Sequence, residues 1–572
     1  MDSHFSEQEL QSAVKVMEAI NSNRELKKFA ASDIHMRRLL AASQLARSPR
    51  QKYHDSVIEL QNSRRAQHRS EDRRVLQQAG IRARRHASRP YGSEKGHAMP
   101  LLADDGYELK GASSEPTSQL QEFQKKLHGS IECHICRQRS KTCHPFYDRL
   151  CFVCGSLNFS KRESTVDMTS RVCLVTGARV KIGFEIALKL LRSNASKVIV
   201  TTRFPHDAAR RFIAQSDSNS FKGRLKIYGA DFRDLNMLRS LCAHIRETET
   251  RLDVLINNAA QTVRKPPAFY EHLVPGEGFG MLGPAVTDII DVFIAAKLQD
   301  VEGYTFVNSL HPPSQDPKLL QGNIPNNEPN LTASSPSSLP VSLRGSPVIS
   351  IGATSASTAM SQMSVLPEDV LPASLRRELF PPNQYDQHGQ QLDLRPSNSW
   401  VQDITQVHSM EMIECHAINT FAPWILITEL KPLMDATAAP SPTEATAQQP
   451  NQDNSNTWDR YIVNVSAMEG QFYRQKSTYH PHTNMAKASL NMMTRTCAKG
   501  FSETGIFMTC VDTGWVTNEN PRSSESDEFQ RMQPPLDEVD GAMRVLDPVF
   551  LGVKNEKRYW GVFLKNYSLT HW

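Results

Sequence analysis

The stretch RVCLVTGARVKIG, Arg171 to Gly183, decides the fold of this chain. Val172, Leu174 and Val175 form a short apolar run that reads as a buried parallel strand. The run breaks at Thr176-Gly177, and EIALKLLRSNA follows with helical spacing from Glu185. Strand, glycine turn and helix together open a βαβ nucleotide-binding unit. Backbone N–H groups at such a helix start can hold a pyrophosphate, and only small residues allow that approach. A glycine turn alone is a weak signal, but three landmarks follow at strand spacing: Thr201-Thr202-Arg203 after KVIV, Asp231 after LKIYG, and NNAA (Asn257 to Ala260) after LDVLI.

These pieces resemble the short-chain dehydrogenase/reductase family over residues 171 to about 435 and 459 to 572. The family's TGxxxGxG appears as Thr176, Gly177, Lys181 and Gly183, with lysine in place of the middle glycine, and its NNAG appears as NNAA. HAINTFAPW, NVS, HTNMAKASLNMMTR and VDTGWVT also match later family segments. The fold class implied is α/β, a doubly wound parallel sheet (Rossmann fold), here with a basic helical N-terminal arm and a small zinc module. Strands are expected at 171–176, 197–202, 224–230 and 253–257, and helices near 183–193, 206–215 and 235–248.

The resemblance implies a dinucleotide at Thr176, Gly177, Arg179, Lys181, Ile182, Gly183, Asp231, Asn258, Ala259, Lys487, Gly514 and Thr517. Arg203 follows the second strand, where an acid would select NAD through the ribose 2′-hydroxyl. A guanidinium there suits a 2′-phosphate, so the expected cofactor is NADP. The family's catalytic Asn, Ser, Tyr and Lys map onto Asn419, Ser466, Thr483 and Lys487. The tyrosine position holds Thr483, whose aliphatic hydroxyl is far less acidic than a phenol and cannot make the same proton transfer. Ser466 shares its register with Ala467. Tyr479 is the expected substitute donor, ahead of His480 and His482.

Cys133-x2-Cys136 and Cys151-x2-Cys154, fourteen residues apart, supply four thiolates at zinc-ribbon spacing. Four protein ligands leave no open position, so zinc here reads as structural. Cys143 and His144 lie between the knuckles and read as spare.

The 572 residues leave room for more than one domain. Without an apolar run of eighteen residues no membrane span is expected, and without an apolar N-terminal segment secretion is not expected. The cysteine pattern fits a reducing compartment, cytoplasmic or nuclear. Between Arg24 and Arg89 stand 17 Lys/Arg against 6 Asp/Glu, a surplus of 11 where the whole chain carries only +5. The expected divisions are a basic arm at 1–90, a linker at 91–125, a zinc module at 126–162, and the dinucleotide domain at 168–572. That domain carries insertions at about 265–400 and 435–458. SQDPKLLQGNIPNNEPNLTASSPSSLP and DATAAPSPTEATAQQPNQDNSN are expected to be disordered. The flanks KPPAFYEHL and YDQHGQQLDLRPSNSW either cover the nucleotide crevice or decorate the surface.

Two functions fit. One is an NADP-dependent oxidoreductase acting on a carbonyl or alcohol. The other is a catalytically inactive NADP-binding sensor or scaffold whose zinc module and arm contact a macromolecule. The expected partners are a small-molecule substrate, a nucleic acid or acidic protein at the arm, and, as a further option, a second copy in a homo-oligomer.

Overall fold

The computed structural model describes residues 7–22, 49–87, 125–278, 282, 290–293, 355–437, 458–521 and 533–572. The chain forms two compact units, residues 1–76 with 127–129, and residues 77–126 with 130–572. In the first unit, α1 (Glu7–Ser22) and α2 (Pro49–Gln77) are helical. Every side chain from 60 to 70 on α2 is exposed, as a helix that is polar all round requires. Near its end, the Asp72 carboxylate accepts the backbone N–H groups of His128 and Gly129 at 2.7 and 2.8 Å.

The second unit begins with α3 (Gly80–Ala87), the antiparallel pair β1 (Lys125–Glu132) and β2 (Arg139–Cys143), and α4 (Phe152–Glu163). Its centre is a nine-stranded sheet. The strands are β3 (Val172–Thr176), β4 (Lys197–Thr202), β5 (Leu225–Gly229), β6 (Val254–Asn257), β7 (Ile290–Phe293), β8 (Arg460–Ser466), β9 (Ile506–Asp512), β10 (Phe563–Lys565) and β11 (Ser568–Thr570). Their order is β11-β10-β9-β8-β6-β3-β4-β5-β7, parallel throughout except for the β10–β11 hairpin. The strand order reverses between β3 and β6, so the ligand crevice lies beyond the carboxyl ends of those two strands.

Alternation along β3 builds both layers of core. Cys173 and Val175 enter one cluster and Val172 and Leu174 the other. Helices α5 (Lys181–Arg192), α6 (Pro205–Ile213) and α11 (Glu538–Val553) cover the first face through Ile186, Leu190, Phe212, Val545 and Val549. On the second face lie α7 (Leu235–Thr248), α9 (Ala422–Ala436) and α10 (Pro481–Ser502), through Leu238, Leu241, Leu426, Leu430 and Ala498. Asp234 starts α7 by accepting the N–H groups of Asn236 and Met237. A preceding helix, α8 (Ser409–His416), runs through a π-helical turn at Ala417–Phe421 into α9.

The expected strands and helices are present within two residues at most boundaries. The edge strand β7 is an addition: it comes from the insertion and pairs parallel with β5. The first segment expected to be disordered, the second from residue 438 onward, and the linker at 91–124 lie outside the described residues; the start of the second is ordered instead, Asp435 and Ala436 closing α9 and Thr437 capping it. Among the described residues, no helix is long and apolar enough to cross a membrane.

The far flank of the insertion is tied down by charge. Arg264 makes a bidentate pair with Asp369 (2.6 and 2.7 Å) and reaches Glu414 at 3.1 Å, and Lys265 holds Asp393 at 2.9 Å. Fork geometry of this kind fixes orientation as well as distance.

Candidate active site

The phosphate turn is shaped by close backbone approach. Gly177 has φ +69°, and a Cβ there would stand 2.8 Å from the Ala259 Cα. At Gly183 a Cβ would meet the Asn258 amide nitrogen and the Gly177 oxygen, each at 2.4 Å. Thr176 stitches the turn to the NNAA segment: its hydroxyl accepts the N–H groups of Asn258 and Ala259, both at 2.9 Å. The Asn258 side chain donates back to the Thr176 carbonyl at 2.9 Å. Thr176 and Asn258 therefore order the turn. Lys181 begins α5 with φ +56°, a left-handed conformation that glycine adopts without cost and lysine does not.

The two arginines expected at the phosphates differ. Arg179 is buried and pairs with Asp207 at 2.8 Å, and Asp207 is also gripped by Arg211 at 2.7 Å. Burial pushes the Asp207 carboxyl up, but Arg211 and Arg179 outweigh it and hold that group well below the usual carboxylate range. Arg203 is different. Its guanidinium lies over the Tyr270 ring, 4.4 Å from the centroid, and donates to the phenol oxygen at 2.7 Å. Among the described residues it has no carboxylate partner at ion-pair distance. Asp231 is likewise committed: its two oxygens hold Arg233 at 2.7–3.2 Å.

At the far end of the crevice, Asn419 sits in the π-helical turn, a local feature common at functional sites. Its side chain brackets Gln261, accepting the N–H at 2.7 Å and donating to the carbonyl at 2.9 Å. Ser466 gives its proton to Asn491 at 2.6 Å. Thr483 donates to the Thr262 carbonyl at 3.3 Å and lies 3.3 Å from the buried His482 ring, whose basicity burial pushes down to about 4. Lys487 is buried, 6% exposed, with its ammonium on the Val465 carbonyl at 2.9 Å; loss of hydration lowers its pKa.

Tyr479, the expected donor, is 46% exposed and is not among the residues lining the cleft. His480 adopts φ +44° ahead of Pro481 and stacks on Trp400 with ring centroids 4.0 Å apart. That turn separates Tyr479 from the helix that carries Lys487.

The cleft has a volume of about 1460 Å³. Gly177, Arg179, Lys181, Ile182, Gly183, Arg203, Asp231, Asn258 and Ala259 line it with Ser466, Thr483, Lys487, Gly514 and Thr517; Thr176 and Asn419 stand behind the wall. Both insertion flanks contribute, through Lys265, Phe269, Tyr270 and residues 386–400. The sequence signal for this was the aromatic and charged character of those flanks; the stacking of Tyr270 on Arg203 had none.

Cys133, Cys136, Cys151 and Cys154 bring their sulfurs within 4.8 Å of one another. A tetrahedral zinc with Zn–S of about 2.3 Å places its sulfurs about 3.8 Å apart, and Cys136 and Cys151 stand at 3.9 Å. The donor set fits zinc. Cys143 is buried outside the group and His144 accepts the Phe146 N–H at 3.1 Å. The module rests on α11: Arg162 pairs with Asp537 at 2.7 Å, Tyr147 donates to Asp540 at 2.5 Å, and Lys161 meets Asp547 at 2.5 Å.

Residues 171–272 match the family model described as short chain dehydrogenase. An uncharacterized protein, R665, of Acanthamoeba polyphaga mimivirus is 26% identical over 77% of this chain and 76% of its own length. Carbonyl reductase [NADPH] 1 of Sus scrofa is 40% identical over 91 residues, which are 16% of this chain and 30% of the pig protein. The chain thus spans under a third of that relative. Among solved structures, NADPH-bound carbonyl reductase from chicken fatty liver aligns over 71% of this chain and 99% of its own, with 17% identity and a TM-score of 0.36. With the glycine turn, the NNAA segment and the parallel sheet around them, residues 171–272 are a segment of the short chain dehydrogenase type.

Proposed function

We propose that the protein is an NADP-dependent oxidoreductase acting on a carbonyl or alcohol held in the cleft between the glycine turn and Lys487. The observation that carries this reading is the placement of Arg203 and Lys487, each near the carboxyl end of a sheet strand and each on the wall of one cleft. When bound, the nicotinamide supplies the hydride. Arg203, held by Tyr270 and with no described carboxylate at ion-pair distance, receives the 2′-phosphate. Gly177 and Gly183 let the pyrophosphate approach the backbone, and Lys181 adds charge beside it.

Hydride arrival at a carbonyl carbon leaves an alkoxide, which needs a proton. The Thr483 proton is directed to Thr262 and the Ser466 proton to Asn491. Lys487 has three N–H donors and gives one to Val465. A buried ammonium whose pKa is lowered by desolvation is a stronger acid than a solvated one. Lys487 therefore delivers the proton and regains it from water, with Asn419 holding the Gln261 backbone in place.

One observation favours the sensor reading. Among the described residues lining the cleft the only tyrosine is Tyr270, at the Arg203 end. Titration of the purified chain with NADPH, followed by a panel of carbonyl substrates, separates the two. Turnover supports the oxidoreductase; tight NADPH binding without turnover supports the sensor.

The Cys133, Cys136, Cys151 and Cys154 group is proposed to hold one structural zinc. Metal analysis finding less than about half an equivalent would reject it.

A further inference from the structure

The segment ahead of the zinc module sends a cation into the cleft. Arg85, on α3, donates through Nη2 to the carbonyls of Pro534 and Leu536 at 2.5 and 3.1 Å. Its Nη1 is buried and has no hydrogen-bond partner, although the residue lines the cleft. A guanidinium nitrogen left dry and unpaired is costly unless something completes it.

The nearby acids do not complete it. Asp148 gives Oδ2 to Arg82 at 2.5 Å and its buried Oδ1 makes no hydrogen bond to Arg85 or to any other group, Asp537 is taken by Arg162 at 2.7 Å and Arg84 at 2.9 Å, and Glu538 by His388 at 2.9 Å. Arg85 keeps its charge for a ligand.

Its position selects which part of a dinucleotide it meets. Arg84, the preceding residue, lies 3.8 Å from Glu185 in the second turn of α5, the helix that follows the glycine turn. Leu536, whose carbonyl anchors Arg85, packs against Gly514 after β9, where a Cβ would stand 2.6 Å from its side chain. Arg85 is thus held between the β3 turn and the β9 loop, whereas Arg203 ends β4 on the other side of β3. An anion that bridges the β3 turn from the β9 side is the pyrophosphate, not the 2′-phosphate.

The zinc module sets this placement. The N–H groups of Gly80 and Ile81, which start α3, donate to Pro145 and Phe146 at 3.1 and 2.8 Å. Ile81, Cys133, Val516 and Leu536 share one apolar cluster, against which Ile182 of the glycine turn packs.

We propose that Arg85 is a pyrophosphate ligand of the bound dinucleotide, supplied to the cleft by the segment that precedes the Rossmann domain. The assignment rests on the dinucleotide reading of the cleft. It is tested by calorimetric titration of the full chain with NADPH, NADH and inorganic pyrophosphate, for wild type, Arg85→Met and Arg203→Ala. Both cofactors carry the same pyrophosphate, so Arg85→Met should weaken NADPH and NADH by the same factor, roughly ten- to a hundredfold. Arg203→Ala should weaken NADPH alone. Unchanged affinity in Arg85→Met, or a loss confined to NADPH, would overturn the assignment.

Should Arg85→Met fail to fold, Arg85→Lys serves, because one ammonium on a flexible stem cannot reproduce the forked contact to two carbonyls and a phosphate. A several-fold loss for both cofactors is then expected, and none would overturn it. Wild type that binds pyrophosphate in an Arg85-dependent way but neither cofactor would reject the nicotinamide reading and leave Arg85 an anion ligand. Wild type that binds none of the three would reject both.

Discussion

Arg203 and Tyr270 form one unit, a guanidinium 4.4 Å above a phenol ring and hydrogen-bonded at 2.7 Å to its oxygen. The arginine ends β4, and the tyrosine comes from the insertion that follows β6. Stacking on an aromatic face costs the guanidinium none of its charge and limits its freedom. Loss of a charged donor to a phosphate costs on the order of 1.5–3 kcal/mol. Arg203→Ala should therefore weaken NADPH by roughly ten- to a hundredfold and change NADH little. Tyr270→Ala should produce a smaller loss in the same direction. Equal wild-type affinity for the two cofactors would remove the basis of the assignment.

Lys181 holds φ +56° where the family has glycine. Replacing it with glycine relieves a left-handed penalty of roughly 1–2 kcal/mol. Glycine's freedom in the unfolded chain costs back roughly 0.5–1 kcal/mol. The two nearly cancel, so Lys181→Gly should melt within a few degrees of wild type. It also removes a cation beside the phosphates and should weaken both cofactors by about tenfold. A large drop in melting temperature would mean that the lysine side chain has a structural role.

The sheet was legible because buried parallel strands are continuous apolar runs, and KVIV, LKIYG and LDVLI announce themselves without tertiary information. The glycine turn and Lys487 were legible through spacing alone. Commitments of side chains were not. Nothing in the sequence says that Ser466 spends its proton on Asn491, that Arg179 is neutralised by Asp207, or that Tyr479 stays outside the cleft, because each depends on a partner 25 or 28 residues distant or on the left-handed turn at His480. Arg85 was read only as one charge in a basic arm. Its role depends on contacts some 450 residues away.

Asp207 makes stability depend on acid. Burial alone would raise its pKa, yet Arg211 and Arg179 hold it well below the unfolded value of about 3.9. A group depressed on folding contributes fully above the unfolded pKa and loses its contribution as pH falls through the folded one. The wild type should therefore lose stability progressively below about pH 4. Asp207→Asn should be destabilised at pH 7 by about 3–5 kcal/mol, since it leaves two buried guanidinium groups uncompensated. It should also show a shallower acid limb. Denaturant melts at pH 3, 4 and 7 measure both, and an equally steep limb in the variant would assign the acid dependence to other carboxylates.

The cysteine spacing marks out a separate module at 126–162, yet its packing ties it to the dinucleotide domain. Buried pairs join Arg162 to Asp537 and Tyr147 to Asp540 at the start of α11, and the module's apolar cluster includes Val516 and Leu536 and packs on Ile182 of the glycine turn. Breaking one partner of a buried pair leaves the other charge unsatisfied, at about 3–5 kcal/mol. Metal binding in such a site is folding energy. Cys136→Ser, or treatment with a strong chelator, should therefore lower the melting temperature of the larger unit by on the order of 10 °C. NADPH affinity should fall with it, because Ile182 and Val516 lose the surface they rest on. Zinc content, melting temperature and NADPH affinity measured on one preparation decide the matter: full NADPH affinity in a metal-free, folded protein would show that the module and the cofactor cleft are independent after all.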